Sequence, residues 1–576
     1  MFYTRHGATV VHPLATDDRC KQLPWEKNLR ALFSFKLIRH LQAAWLEILL
    51  LGVLAVGAFL IATTPPSNPY DHPFYIITAG RILEGEKPYV DFGVVYGPLG
   101  YYINAIGLWP LQFLPIIKAF GVLNFLLFLV YLLLLVSAKR SLRDHPPFPA
   151  LLVTGYLVGL FPILVHYAYY SLMPSLMLIL AIQLSKTFLS PGCPSIWKYA
   201  GGLAALTVVA TLTRINFGFY IFAGLASVVF LQLCWGYGRI WARVMAFFIM
   251  SLIFGGLALL LLYWAGILIP YLQDMMLFLP RYRARFLPLT YSTSPGQLMV
   301  LLQVFLILVA IGFDLVRRHI LKAGMVGIVI SLGLFQYCYQ RLDINHVYVL
   351  FLVLPFVYIA IWEDYQSAQV TPLADGSVSG KLRPDLLRLL PWALIYLLLA
   401  LPVIYSNSSM RIVQETASWW LNRGDSSAER EIGLLPGEKQ MLDDLAREKG
   451  GRDIFWGSVP GSCESSTQTG ANLSLYLAQG RLPSTRIWFF DPCSTAHDDV
   501  QQSLVQELEV KHLPLIAMQG LIDPTLGYLP GNPPESRILF DYVQRNYTLQ
   551  KRYSLPEANR YYDIYVQNGA QPVIRN

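Results

Sequence analysis

Charge is what this chain has least of. Asp, Glu, Lys and Arg make up 14% of its 576 residues, where a soluble domain carries about 25%. With 55% hydrophobic residues and a mean hydropathy of +0.46, a soluble globular protein is excluded. Cysteine is also scarce, at six residues. Cys20, Cys193 and Cys234 fall in or beside segments expected in the cytoplasm, and Cys338 falls within a hydrophobic span. Only Cys463 and Cys493 lie together, and a bridge and two free thiols are both open there. There is no strong internal repeat and no glycine-rich phosphate loop in a suitable context. There is no cleavable signal peptide, because a long, mostly polar segment rich in Arg and Lys precedes the first span and makes it a signal anchor. The net charge of +8 does not point to nucleic acid, since much of the basic excess lies in short loops between spans.

What is present is hydrophobic runs. A transmembrane helix needs about 20 apolar residues, and the sequence supplies about eleven such spans. They are read at 43–62, 116–138, 150–166, 170–188, 199–213, 217–235, 243–266, 296–314, 322–339, 346–362 and 387–406. Arg30, Lys36, Arg39, Lys139, Arg140, Arg143, Lys186, Lys198, Arg239, Arg243, Arg317, Arg318, Lys322, Lys381, Arg383 and Arg388 all fall on one side of these spans. The positive-inside rule makes that side the cytoplasm. An odd number of spans then puts the N-terminus inside and the C-terminus outside. The expected organisation is a cytoplasmic N-terminal segment over 1–42, a transmembrane domain over 43–406 with a first outer loop at 64–115, and an extracytoplasmic domain over 407–576. That last region holds more Asp and Glu than Lys and Arg. Its helix-like stretches (437–449, 470–478, 498–508, 536–545) alternate with strand-like ones (453–456, 486–490, 513–517, 547–553, 561–566), the pattern of a small α/β domain. The fold class is therefore a polytopic α-helical membrane protein with a C-terminal α/β domain.

The first outer loop is the most informative stretch. It reads Asn68-Pro69-Tyr70-Asp71-His72-Pro73-Phe74-Tyr75, then Gly85-Glu86-Lys87-Pro88-Tyr89-Val90-Asp91-Phe92, then Tyr96-Gly97-Pro98-Leu99-Gly100-Tyr101-Tyr102. Two carboxylates at the outer membrane surface are costly unless they cap a helix, bind a cation or do chemistry. Ile76, Ala79, Gly80 and Leu83 share one helical face, which predicts a short interfacial helix ending at Gly85, with a second over Leu99–Leu108. Arg214 and Asn216 break two spans on the outer side, either as a short polar connection or as part of a cavity wall. The 270–295 loop carries Arg281, Arg283 and Arg285 on that side, against the charge rule, and such a loop suits an anionic ligand or anionic head groups alike.

These motifs resemble those of the GT-C superfamily of polytopic glycosyltransferases, which take a sugar from a polyprenyl-phosphate carrier at the outer face of the membrane. The resemblance rests on Asp71, on Gly85…Pro88-Tyr89…Asp91, on Gly97-Pro98-Leu99…Tyr102, and on Arg341-Leu342-Asp343-Ile344-Asn345-His346. It departs from the mannosyl- and aminoarabinose-transferring branches, which carry Asp-Glu where this chain has Asp71-His72. It is closer to bacterial members without an assigned sugar and looser to arabinofuranosyl- and mannosyltransferases. The resemblance implies Asp71 as general base, with Asp91 binding acceptor, orienting Asp71 or holding a divalent cation. It implies His72, Tyr96, Arg214, Arg281, Arg283, Arg285, Arg341, Asp343 and His346 as substrate contacts. As plain structure, Asp71 would cap a helix starting near Pro73 and Asp91 would serve a turn. The implied partners are a polyprenyl-phosphate sugar donor, a glycan, lipid or protein acceptor, and membrane lipids, with no nucleic acid. The implied location is the bacterial inner membrane. The competing reading is a transporter or flippase of lipid-linked glycans; it fits less well, since most ionisable groups crowd the outer rim and no repeat is evident. A non-catalytic scaffold would leave the outer carboxylates and cations without a common purpose.

The charge sorting has a direct consequence. Single cysteines introduced in 366–384 should be labelled only from the cytoplasmic side, and those in 420–450 only from outside. Labelling of both from one side would end the span assignment.

Overall fold

The structure is a computed structural model. It describes residue 52 and residues 71–94, 96–114, 116–140, 172–190, 192–236, 240–285, 295–340, 344–370, 434–447, 453–458, 473–488, 497–523 and 536–569. In chain order its helices begin with α1 (Asp71–Leu83), α2 (Pro98–Leu108) and α3 (Ile116–Arg140), followed by α4 (Leu172–Phe188). Then come α5 (Ile196–Thr213), α6 (Ile215–Cys234), α7 (Ile240–Trp264), α8 (Leu268–Arg285), α9 (Pro295–Arg317), α10 (Ala323–Gln340) and α11 (Ile344–Val370). The α/β region contains α12 (Pro436–Arg447), β1 (Ile454–Ser458), α13 (Ser474–Ala478), α14 (Asp498–Lys511), β2 (Leu515–Leu521), α15 (Ile538–Asn546), β3 (Tyr547–Leu555) and β4 (Arg560–Gln567).

Helices α3–α7 and α9–α11 fall on predicted spans; the spans at 150–166 and 387–406, and that at 43–62 apart from Gly52, lie outside the described residues. Among the described residues, five helices are long and apolar enough to cross a membrane by length and composition: Lys118–Leu135, Ile196–Thr213, Ile215–Cys234, Ile240–Trp264 and Val349–Ala368. This is the architecture of a polytopic helical membrane protein. The last of these spans is 83% buried, while Ile240–Trp264 is only 6% buried. Helix α11 is therefore central, and α7 packs along α5 with most of its surface left for lipid.

Several of the basic residues predicted to share a side do meet at one end of the bundle. Lys186 pairs with Glu363 at 2.6 Å, and Arg318 pairs with Asp314 at 2.9 Å. Arg243 donates to the Ser190 carbonyl at 2.6 Å, and Lys322 to the Ser367 hydroxyl at 2.7 Å. Asp364 accepts the Gly324 amide at 2.7 Å, giving α10 a side-chain cap from α11.

At the opposite end α1 and α2 pair as the two short helices expected of the first loop. Helix α1 stops at Gly85, whose φ of +97° provides the left-handed residue that commonly ends helices. Helix α2 opens on Gly97-Pro98, with Pro in the first turn, where its missing amide is harmless. Gly97 is there for space. Its amide donates to the Thr213 carbonyl at 3.1 Å, one of the orphan carbonyls at the end of α5. A Cβ on Gly97 would sit 2.1 Å from the Leu212 carbonyl oxygen.

The α/β region is a four-stranded sheet in the order β1-β2-β4-β3, with β1 and β2 parallel and the other pairs antiparallel. The parallel pair requires a helical crossover, which α13 and α14 provide. One face of the sheet packs on α14 and α15 through Phe455, Ile516, Met518, Leu504, Leu508 and Val543. The other meets α12, where Glu438 accepts the Leu435 amide at 2.9 Å and the Tyr562 hydroxyl at 2.8 Å. The first of those bonds is half of a capping box. Four of the five strand-like stretches in the sequence are strands. The fifth, at 486–490, is not: residues 486–488 are irregular, and 489–490 lie outside the described residues. The reason is that the Arg486 carbonyl and amide are taken by the Gly93 amide and by Glu507 instead of by a neighbouring strand.

Gly97→Ala should destabilise the fold by about 1–3 kcal/mol, the range for forced overpacking. Gly192→Ala should be silent, because an added Cβ there meets nothing within 4 Å. Thermal melts of the two variants in detergent provide the comparison.

Candidate functional site

Arg214 is the single extended residue between α5 and α6, with φ −154° and ψ 116°. It is buried, at 6% exposure. Its guanidinium donates to the Tyr337 hydroxyl at 2.6 Å and to the Tyr75 hydroxyl at 3.1 Å. It also lies over the Tyr96 ring, 4.1 Å from the centroid, where ring quadrupole and cation attract. More than a short polar connection, Arg214 is the point where α1, α6, α10 and the lead into α2 converge. Beside it is a cavity of about 20 Å³, lined by Tyr75, Tyr96, Gly97, Gly100, Tyr101, Met173, Pro174 and Thr213 as well as Arg214. It has room for about one water and is far too small for a sugar ring.

The network reaches each sequence motif from a different direction. Tyr75 sits one helical turn after Asp71 on α1. Its carbonyl accepts from Asn104 on α2 at 2.8 Å. Tyr337 lies on the last turn of α10, immediately before the Arg341–His346 motif. Tyr96 receives the Tyr89 hydroxyl on its carbonyl, and its amide donates to the Tyr101 hydroxyl at 3.0 Å.

The 85–93 turn is tightly tied. The Lys87 amide donates to Asp91 Oδ2 at 2.7 Å, and the Asp91 amide returns to the Lys87 carbonyl at 2.9 Å. That bond is the one described for the Asp91 carboxylate, and it is what a turn residue makes. Tyr89 takes a left-handed φ of +69° with its side chain fully buried, a strained state that needs surrounding contacts to hold it. Arg81 lies beneath the turn, 2% exposed. It pairs with Glu86, donates to the Thr485 carbonyl at 2.9 Å and the Asp91 carbonyl at 3.3 Å, and stacks 4.7 Å from the Phe92 ring centroid.

The other predicted site residues fare differently. Asp71 begins α1, two residues earlier than the helix start expected at Pro73, and His72 follows it; only their backbone places are described. His346 is on the first turn of α11, while Arg341 and Asp343 lie outside the described residues. The region read as a 270–295 loop is instead helical through Arg285, so Arg281, Arg283 and Arg285 belong to the last turns of α8. The physical reason is that Leu268–Arg285 is amphipathic. Ile269, Leu272 and Met276 are exposed on one side, while Tyr271 is buried against Tyr89, with ring centroids 5.1 Å apart. Cations at a helix C-terminus also suit its dipole. Among the described residues no three of His, Cys, Asp and Glu gather as a metal site. Cys463 and Cys493 lie outside the described residues.

No site role was read from the sequence for Tyr75, Tyr89, Tyr337, Arg81, Asp274 or Arg486. Tyr89 did lie within the first-loop motif, and Tyr75 is spaced one turn from Asp71.

No protein-family profile matches this chain, and no curated protein sequence matches it. Among solved structures, the crystal structure of ArnT from Cupriavidus metallidurans bound to undecaprenyl phosphate aligns over 92% of this chain and 99% of that one. The identity is 11% and the TM-score 0.44, a likeness too distant to assign a family.

Asp274 on α8 faces Arg486 at 3.4 Å. Burial raises its carboxyl above 3.8, and Arg486 offsets this only in part. An acid whose folded pKa is raised favours the folded state below that pKa and loses this contribution as pH rises through it. Asp274→Asn should therefore melt no lower than the parent at neutral pH, with the difference closing as pH falls toward about 4. A clear loss of stability at pH 7 would mean that the ion pair outweighs the desolvation.

Proposed function

We propose that this protein is a membrane glycosyltransferase that moves a sugar from a polyprenyl-phosphate carrier to an acceptor hydroxyl at the extracytoplasmic face. The observation that carries this reading is Arg214: a buried guanidinium bonded to Tyr75 and Tyr337, and so joined to the first-loop helix that begins at Asp71 and to the helix that leads into the 341–346 motif. Those are the motifs on which the sequence resemblance to GT-C enzymes rests. A guanidinium in a partly dry, rigid setting suits a phosphate, because its fork of donors matches the oxygens and fixed charge acts more strongly there than in water.

In this reaction Asp71 takes the proton from the acceptor hydroxyl as its oxygen attacks the anomeric carbon. The bond from that carbon to the phosphate oxygen breaks, and the polyprenyl phosphate departs with the electron pair. Direct attack inverts the anomeric centre. Phosphate is a good leaving group, so it needs positive charge beside it rather than a strong acid. Arg214 provides that charge together with Arg341 and His346, and Arg281, Arg283 and Arg285 add a weaker anionic contact. Asp91 is a secondary carboxylate, since one of its oxygens serves the turn. The cavity beside Arg214 has room for about one water, so in this reading it must open before the carrier phosphate reaches the arginine.

The test is purified protein with a panel of labelled polyprenyl-phosphate sugars, read by mass spectrometry of glycosylated product. Asp71→Asn should lower turnover by about 10²- to 10⁴-fold, the contribution of a general base. Its melting should hold, because Asn also serves a helix start well. Arg214→Gln, Arg341→Gln and His346→Gln should weaken donor use more than Arg283→Gln does. Near-parental turnover by Asp71→Asn would reduce Asp71 to a helix start. Lipid crossing the membrane with no product would favour the flippase.

A further inference from the structure

The segment Thr485–Trp488 belongs to the α/β region by sequence, yet its polar groups point at the membrane rim. The Arg486 carbonyl accepts the Gly93 amide at 2.8 Å, and the Gly93 carbonyl accepts Trp488 Nε1 at 3.2 Å. Both backbone groups of Gly93 are thus taken by this segment. The Arg486 guanidinium donates to the Tyr89 carbonyl at 3.0 Å and reaches Asp274 on α8 at 3.4 Å. The Trp488 ring stacks on Phe74 of α1, 5.3 Å between centroids. The segment is itself anchored behind: the Arg486 amide donates to both carboxylate oxygens of Glu507 on α14, at 2.8 and 2.9 Å.

We propose that Arg486 is a positioning residue, a clasp from the α/β region that holds the 87–93 turn and, through Tyr89 and Tyr96, sets the ring face against which Arg214 rests. The path is short. Arg486 bonds the Tyr89 carbonyl; the Tyr89 hydroxyl bonds the Tyr96 carbonyl; the Tyr96 ring carries Arg214. Tyr89 is the strained link, with its left-handed φ, and strain of this kind persists only when neighbouring contacts over-determine it. Arg486 touches neither the cavity nor Arg214, so it acts through the turn. One guanidinium nitrogen makes both contacts, so a lysine keeps the charge but must bring its ammonium, on a shorter side chain, to that same point between Asp274 and the Tyr89 carbonyl.

The functional arm of this proposal rests on reading Arg214 as a phosphate contact, and the structural arm does not. Hydrogen exchange on the full-length protein in nanodiscs tests the structural arm. Arg486→Ala should raise exchange of the Tyr89 and Gly93 amides about tenfold, the scale of one hydrogen bond to a charged group. The rise should extend to the Gly97 amide, while β2 and β4 stay protected. Arg486→Lys should fall between. Binding of undecaprenyl phosphate, followed by native mass spectrometry, tests the functional arm. Affinity should drop about tenfold in Arg486→Ala and show no further drop when that change is added to Arg214→Gln, as expected for residues acting through one path. Unchanged exchange over 87–97 in both Arg486 variants would overturn the clasp, whatever the lipid does. Faster exchange with unaltered lipid affinity, in a protein whose Arg214→Gln variant binds weakly, would overturn the transmission to Arg214. A parent protein that binds no lipid phosphate would overturn the proposed function, and exchange at Gly97 would then decide the clasp alone.

Discussion

A guanidinium removed from water must be given acceptors, or its burial is too costly to tolerate. Arg214 meets that demand with two tyrosine hydroxyls and an aromatic face, and those groups come from three separate parts of the chain. Satisfying one side chain thereby dictates which elements meet. Helix α1 must bring Tyr75, α10 must bring Tyr337, and the lead into α2 must bring Tyr96. The close approach of Gly97 to the end of α5 follows from the same geometry, since Tyr96 reaches Arg214 only if its neighbour can lie almost on the Leu212 carbonyl.

The rim of the bundle and the α/β region form a continuous structure across the first outer loop. Arg81 supports the loop from α1, Tyr271 packs on it from α8, and residues 485–488 cover it from the α/β side. Each bond uses a backbone group that a free loop would leave to water. The 85–93 turn is therefore as constrained as a secondary element although it is irregular. That is the kind of rigidity a site needs if its charges are to sit ready rather than be gathered at the moment of use. It also bears on residues 486–488 falling outside the sheet: the amide and carbonyl of Arg486 are already taken by Glu507 and Gly93.

At the other end of the bundle the polar contacts do different work. Lys186–Glu363, the Tyr365 hydroxyl on Asp314 and Asp364 on the Gly324 amide join neighbouring helix ends. They give the bundle a defined register where apolar packing alone would allow sliding. Among the described residues the bundle carries charged contacts at both ends, one set joining helix ends and the other in and beneath the first loop.

The helices of the bundle were legible in the sequence because a lipid-facing or buried helix must be apolar along its whole length, and that requirement is written locally. The two short helices of the first loop and four of the five strand-like stretches were legible for the same reason: periodicity and glycine stops need no distant partner. Helix α8 was not, because three arginines and a proline made an amphipathic helix look like a loop. The candidate site was legible in part. Of the residues that stood out by chemistry and position, Asp91 serves its turn, only the backbone place of Asp71 is described, and Tyr96 lies against Arg214. Its partners Tyr75 and Tyr337, and the clasp at Arg486, were decided only by tertiary structure. A hydroxyl or guanidinium shows no preference in sequence for one distant partner over another; only packing brings them within bonding distance. By itself the sequence determined a many-helix membrane chain with its polar chemistry gathered at one rim. The tertiary structure decided that α1, α10 and the lead into α2 meet at one buried arginine.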